Sequence, residues 1–191
     1  MREALVALFE SVGLRAEAFG SVPQFLTGRI MDCTSCLVLD VRLPGMSGLD
    51  LQAHFAQANI RMPIVFITGH GDIPMTVKAI KAGAIEFLTK PFRDQDLLDA
   101  VRHGLEIDHA RRQQLRSVTD LRSRFDSLTP REQQVITLVS TGLMNKQIAG
   151  ELGVTEITVK VHRANAMRKM GARSLASVIK MVQELGDHGA G

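Results

Sequence analysis

At 191 residues, with 45% apolar side chains and 23 basic against 20 acidic residues, the chain has material for one large or two small packed domains, which excludes a disordered protein. No stretch stays apolar over the roughly 18 residues of a membrane-spanning helix, and the opening MREALVALFE is too short and too acidic for a signal peptide, so a cytoplasmic protein is expected. Aromatic residues make up only 4%, without Trp or Tyr, so the cores must be aliphatic.

The first half alternates helices and strands. Leu5, Val6, Leu8 and Phe9 keep helical spacing over 2–12, and Gly13 ends that helix. Leu14 to Phe19 alternates with period two and predicts a strand with one wet face. Ser21 caps a short helix through Leu26. Cys33 and Cys36 form a C-x-x-C, but there is no second ligand pair and no helix start beside them, so redox or zinc chemistry is not indicated. Cys36 instead opens the continuous apolar run Leu37-Val38-Leu39, which predicts a strand buried on both faces and ending at Asp40. A Pro44-Gly45 turn follows, and Ser47 with Asp50 starts a helix over 48–57. Pro63 to Ile67 is a second continuous strand, ending at Thr68-Gly69. A helix over about 74–82 and a short strand from Ile85 to Leu88 lead to Thr89-Lys90-Pro91. Such alternation predicts a doubly wound α/β fold with a parallel sheet. Open sheets of this kind place ligand sites at the carboxyl ends of strands. On the residues alone, Asp40 is either a solvated strand-end acid or a site carboxylate.

Residues 93–125 form one charged segment without proline, read as the last helix of the first domain running into a linker helix. Its apolar stripe lapses over Asp108 to Gln114, which weakens a self-associating coiled coil. Thr129-Pro130-Arg131-Glu132 is a capping-box helix start. Asn145 is expected to cap a second helix through Leu152, Gly153 to turn the chain, Thr155 to cap a third helix to Met170, and Ser174 a fourth, before a frayed tail over 186–191. The spacing over 145–170 is that of a helix-turn-helix. Val159, His162, Ala166 and Met170 make its inner stripe, with His162 read as a packed histidine. The opposite face offers Lys160, Val161, Ala164 and Arg168, flanked by Arg163 and Lys169, with Lys146 near the start of the preceding helix. Basic side chains reach phosphates and guanine edges, and small ones allow close approach to the major groove. The competing reading of this half is a helical bundle that binds protein.

Together the two halves resemble the NarL/FixJ-type response regulators of bacterial two-component systems, which join a receiver to a LuxR-type helix-turn-helix domain. The matching residues are Leu37-Val38-Leu39-Asp40, Leu43-Pro44-Gly45-Met46-Ser47-Gly48, Phe66-Ile67-Thr68-Gly69, Phe87-Leu88-Thr89-Lys90-Pro91, Leu128-Thr129-Pro130-Arg131-Glu132, Asn145-Lys146-Gln147-Ile148-Ala149 and Thr158-Val159-Lys160-Val161-His162. The resemblance implies a flavodoxin-like (CheY-like) receiver over 1–106, a linker helix over 107–125 and a four-helix DNA-binding domain over 126–191. It implies Asp40 as phosphoacceptor, Thr68 and Lys90 as phosphoryl-binding residues, Phe87 as a switch aromatic, and a cis Lys90-Pro91 bond. It also implies Mg²⁺ held in part by Asp40 and the Arg42 backbone carbonyl, and adds Thr158 to the DNA-contacting residues. Implied partners are double-stranded DNA, a sensor histidine kinase, a second copy of the chain on phosphorylation, and RNA polymerase.

The chain departs from the family pattern at its start. The family's receiver opens with a strand ending in two adjacent acids that help hold Mg²⁺, whereas this sequence begins in the following helix. Losing about five buried apolar residues of a central strand would remove roughly 8–15 kcal/mol. The expectation is therefore a start-site error, with roughly 15 further residues in the natural product. If the short form is real, phosphorylation is expected to be slow or absent. The expected function is a phosphorylation-controlled, sequence-specific transcription regulator. The alternative is a phosphorylation-independent DNA-binding regulator with a degenerate receiver. A hydrolase using Asp40 is disfavoured, since no second catalytic acid and no substrate cap accompany it.

Overall fold

Two continuous apolar runs and one short mixed run carry the first half. In the computed structural model, which describes residues 1–28, 32–43 and 46–187, they form β1 (Leu37–Asp40), β2 (Ile64–Thr68) and β3 (Glu86–Thr89). The strands are parallel in the order β1-β2-β3, with Asp40 opposite Ile67 and Thr68 opposite Thr89. The helices are α1 (Arg2–Ser11), α2 (Val22–Thr27), α3 (Gly48–Gln57), α4 (Ile73–Lys81) and α5 (Asp94–Asp126). Every residue of β2 is buried, and its side chains divide by parity. Ile64 and Phe66 pack with Phe25 of α2, Leu51 and Phe55 of α3, and Ala79 of α4. Val65 and Ile67 pack with Phe9 of α1 and Leu97, Leu98 and Val101 of α5. This two-sided core is the doubly wound receiver expected from the sequence. The turn at 44–45 and the end of the tail, 188–191, lie outside the described residues.

Three local expectations are corrected. Residues 14–19 form no strand. A cavity of about 1060 Å³, lined by Leu5, Phe9, Leu14, Phe25, Val38 and Leu39 among others, opens between them and β1. Neither segment can therefore supply the other's ladder hydrogen bonds, and a strand exists only as part of a ladder. For the same reason β1 is not buried on both faces, since only Leu39 of its four residues is fully buried. Finally, Asn145 is the first residue of its helix rather than the cap. Met144 is the cap residue, and its backbone N–H donates to Gln147 Oε1 at 2.8 Å.

The chain divides into two units, Met1–Arg112 and Gln113–Gly191, with the break inside α5. A buried carboxylate explains why the first unit extends to Arg112. Asp108 is 1% exposed and accepts from Arg112 Nε at 2.7 Å, Arg111 Nη2 at 2.5 Å and the Ser35 backbone N–H at 3.0 Å. Arg112 also pairs with Asp32. The lapse in the apolar stripe is thus an ionic clamp between α5 and the loop that feeds β1. Burial, helped by the nearby Asp108 charge, pushes the Cys36 thiol up to about 12, so it is unreactive at neutral pH. Among the described residues no helix is long and apolar enough to cross a membrane.

In the second unit α6 (Pro130–Ser140), α7 (Asn145–Leu152), α8 (Glu156–Met170) and α9 (Leu175–Asp187) enclose Val135, Ile136, Val139, Ile148, Val159, Met170 and Val178. Leu121 and Phe125 from the end of α5 join this core. The α6 start has both bonds of its capping box, Glu132 N–H to Thr129 Oγ1 at 3.3 Å and Thr129 N–H to Glu132 Oε2 at 2.8 Å.

Candidate functional site

In the first unit the polar chemistry gathers where the strands end. Asp40 is the last residue of β1, and Lys90 follows β3 directly. Lys90 Nζ lies 2.6 Å from Asp40 Oδ2, with side chains 19% and 30% exposed. The Arg42 backbone N–H donates to Asp40 Oδ1 at 3.0 Å, which fixes the carboxylate in an Asx-type turn. Thr68 closes β2 between them; its carbonyl accepts the Lys90 backbone N–H at 2.7 Å, and its fully buried Oγ1 accepts the His70 N–H at 3.2 Å. Phe87 is buried, its ring 6.1 Å from that of Phe66. The Lys90-Pro91 bond is cis. The sheet therefore brings Asp40, Thr68 and Lys90 to one edge, and leaves Asp40 and Lys90 partly open to solvent.

This edge can hold an anion or accept a phosphoryl group, since a carboxylate and an ammonium group lie in contact in a partly exposed site. It is not a complete Mg²⁺ site. That ion takes near-octahedral oxygen ligation, and among the described residues no group of three His, Cys, Asp or Glu side chains converges to hold a metal. Both oxygens of Asp40 already accept hydrogen bonds, one from Lys90 and one from the Arg42 N–H.

In the second unit α7 and α8 are joined through Gly153, whose φ of 64° is the left-handed conformation the tight turn requires. Thr155 Oγ1 accepts the Thr158 N–H at 3.2 Å and so caps α8. Val159, Ala166 and Met170 face the core, and His162 is half-buried beside them. Lys160, Val161, Ala164 and Arg168 lie exposed on α8, and Lys146 is exposed on α7. Thr158 is half-buried, with its hydroxyl 2.9 Å from that of Thr155. Arg163 and Lys169 are also half-buried, and each is engaged by the protein. Arg163 Nη1 donates to Asn145 Oδ1 at 3.1 Å, and Lys169 Nζ to Glu132 Oε2 at 2.6 Å.

Residues 1–102 match the response regulator receiver domain family, and residues 126–182 match the bacterial regulatory proteins of the luxR family. The chain belongs to the NarL/FixJ response regulators. The regulator is 60% identical over 186 residues to Nodulation protein W of Bradyrhizobium diazoefficiens, which covers 97% of this chain and 82% of that protein. It is 48% identical over 185 residues to the response regulator protein TodT of Pseudomonas putida, covering 97% and 82%. It is 38% identical over 181 residues to the transcriptional regulatory protein FixJ of Rhizobium meliloti, covering 95% and 89%. Among solved structures, the response regulator StyR superposes with a TM-score of 0.86 at 53% identity, covering 96% of this chain and 93% of that one. Full-length FixJ from B. japonicum gives 0.56 at 35% identity, covering 98% and 92%. The regulator thus joins a CheY-like receiver to a LuxR-type DNA-binding domain, in a family of transcription regulators rather than enzymes.

Two structural roles in the regulator depend on partners that local sequence patterns do not point to. Asp108 interrupts the apolar stripe of α5, and arginines three and four residues on, Arg111 and Arg112, have the spacing of helical ion pairs. The spacing of Glu132 from Thr129 marks it as a cap, but its second partner, Lys169, lies 37 residues away and no local pattern announces it.

Proposed function

We propose that Asp40 accepts a phosphoryl group from a sensor histidine kinase and that this controls DNA binding by the second unit. The observation that supports this reading is the 2.6 Å contact between Lys90 and Asp40 at the open edge of the sheet. An Asp40 oxygen attacks phosphorus, the P–N bond to the kinase's phosphohistidine breaks, and the imidazole nitrogen departs. Lys90 then faces the phosphoryl oxygens, whose charge it partly neutralises. Thr68 and Phe87 respond to the new group, and the altered face favours dimerisation. The exposed apolar residues Ile73, Val77 and Ile80 on α4 support that face. The dimer presents two α8 helices to a two-fold operator with half-sites about one turn apart. In this reading the protein acts in the cytoplasm, with RNA polymerase as a further partner.

A second reading, phosphate-independent DNA binding, is supported by the engagement of both Asp40 oxygens within the protein, one by Lys90 and one by the Arg42 N–H. Acetyl phosphate with Mg²⁺ separates the two. Under the first reading it labels the chain and raises affinity for operator DNA, and Asp40→Asn abolishes both effects. No label and no change in affinity support the second reading.

For the DNA-binding half we assign contacts to Lys146, Thr158, Lys160, Val161, Arg163, Ala164 and Arg168, with Lys169, a basic residue of the same helix, held by Glu132. Lys160→Ala should weaken operator binding and relax base preference. Lys146→Ala should weaken all sequences alike and lower the salt slope by about one unit. Binding titrations at two salt concentrations measure both, and wild-type behaviour of both variants would rule out the assignment.

A further inference from the structure

Helix α8 carries four basic side chains after its first turn, and the structure divides them. Lys160 and Arg168 are exposed, with no hydrogen-bond or ion-pair partner among the described residues. Lys169 turns inward to Glu132, and the two side chains are 29% and 5% exposed. Glu132 is itself fixed, because the oxygen that accepts from Lys169 also accepts the Thr129 N–H at 2.8 Å. The Lys169 hydrogen bond first, and the Thr129 N–H after it, hold the Glu132 carboxyl below the usual carboxylate range. One residue further, Arg124 Nη1 donates to the Met170 carbonyl at 3.4 Å and so satisfies an end carbonyl of α8. Arg124 is steadied in turn by Asp120 at 2.7 Å. Arg163, bonded to Asn145, ties the middle of α8 to the start of α7.

We propose that Lys169, through Glu132, and Arg124 are positioning residues that fix the carboxyl-terminal half of α8, and that Lys160 and Arg168 carry the charge α8 offers to DNA. This rests on the reading of α8 as the DNA-contacting helix, and it takes Lys169 out of the set of direct DNA contacts. A lysine whose charge is taken up by a buried carboxylate has little left for a phosphate. Its hydrogen bond instead sets where the helix end sits, and so which side chains meet which base edges. Positioning affects specific complexes most, because phosphate contacts tolerate small displacements while base-edge contacts depend on register.

The test uses the full chain, a duplex selected from a random library by the wild-type protein, and a random-sequence duplex of equal length. Affinities are measured between about 50 and about 200 mM salt. Removing Lys169 alone would leave a buried, unpaired Glu132 and risk unfolding. The primary variant is therefore Lys169→Met with Glu132→Gln, which conserves net charge, fills the lysine stem and keeps an acceptor for the Thr129 N–H. It is expected to lose about ten-fold on the selected duplex, with the random duplex and both salt slopes unchanged. Arg124→Met, at a partly exposed site, should lower affinity for the selected duplex in the same direction, again without a change in slope. Arg168→Met should lower the slope by about 0.9, and Lys160→Met should lower affinity for the selected duplex more than for the random one. A comparable fall in slope for the double variant would make Lys169 a phosphate contact and overturn the proposal. Unchanged affinity for the selected duplex in both the double variant and Arg124→Met would overturn it as well. If Lys160→Met and Arg168→Met both bind the selected duplex like wild type at every salt concentration, the reading of α8 as the DNA face fails, and the positioning role falls with it.

Discussion

Asp108→Ala is expected to destabilise the first unit by about 3 kcal/mol, the low end for breaking a buried ionic group. The low end applies because the arginines left behind, Arg111 and Arg112, are 30% and 18% exposed and can recover water. The Ser35 N–H has less recourse, since the carboxylate is its acceptor. Asp108→Asn keeps an acceptor for Ser35 and should cost less. Chemical denaturation followed by circular dichroism should show the early loss confined to one of two transitions, and coincident curves for wild type and Asp108→Ala would refute the clamp. The same group gives the first unit a pH dependence. Burial alone would raise the Asp108 carboxyl, but the hydrogen bonds from Arg111, Arg112 and Ser35 outweigh it and hold the group below the usual carboxylate range. A carboxylate lowered in the folded state contributes its full stability above the ordinary pKa of about 3.9, and loses it as pH falls through the lower native value. The clamp's contribution should therefore be constant at neutral pH and disappear under acid. Asp108→Asn should remove that acid-dependent part.

Gly48→Ala is the second large effect expected. Gly48 opens α3, where the helix start crosses the end of β1. An added Cβ would lie 2.6 Å from the Asp40 carbonyl oxygen, 3.1 Å from Phe66 Cε1 and 3.2 Å from Leu39 Cγ. The nearest of these is backbone, and the other two are buried side chains in the core between sheet and helices. None can swing aside as a flexible surface side chain would, so the start of α3 must move off the strand. The expected cost is about 2–3 kcal/mol, the upper part of the range for overpacking. The shift would also disturb Asp40, whose backbone meets the intruding methyl, so phosphoryl uptake should fall with stability. A variant that denatures and takes up phosphate like wild type would show that the helix start adapts without cost.

Much of this architecture is local and was legible along the chain. Continuous apolar runs marked β1 and β2, Ile85 to Leu88 marked β3 as a short strand, and the Ser47–Asp50 and Thr129–Glu132 pairs marked two helix starts that form as capping boxes. The spacing of Val159, Ala166 and Met170 set the inner face of α8. These signals are strong because each reports hydrogen bonding or burial within a few residues. The carboxyl ends of parallel strands share one edge by topology, so Asp40, Thr68 and Lys90 could be grouped before any distance was known.

Tertiary structure decided what depends on partners far along the chain. Residues 14–19 have the alternation of a strand but no ladder, because alternation fixes which side chains turn inward and cannot provide a neighbouring backbone. Asn145 has a capping residue's chemistry but serves Arg163, 18 residues on. Lys169 and Lys160 look alike in sequence, each a lysine on a basic helix. Glu132, fixed at the start of α6, is what turns Lys169 inward and leaves Lys160 to the solvent. A charge count along α8 can give the sign of its partner. Which charges remain available is settled by the long-range contacts, since a cation paired inside the protein is no longer one that DNA can use.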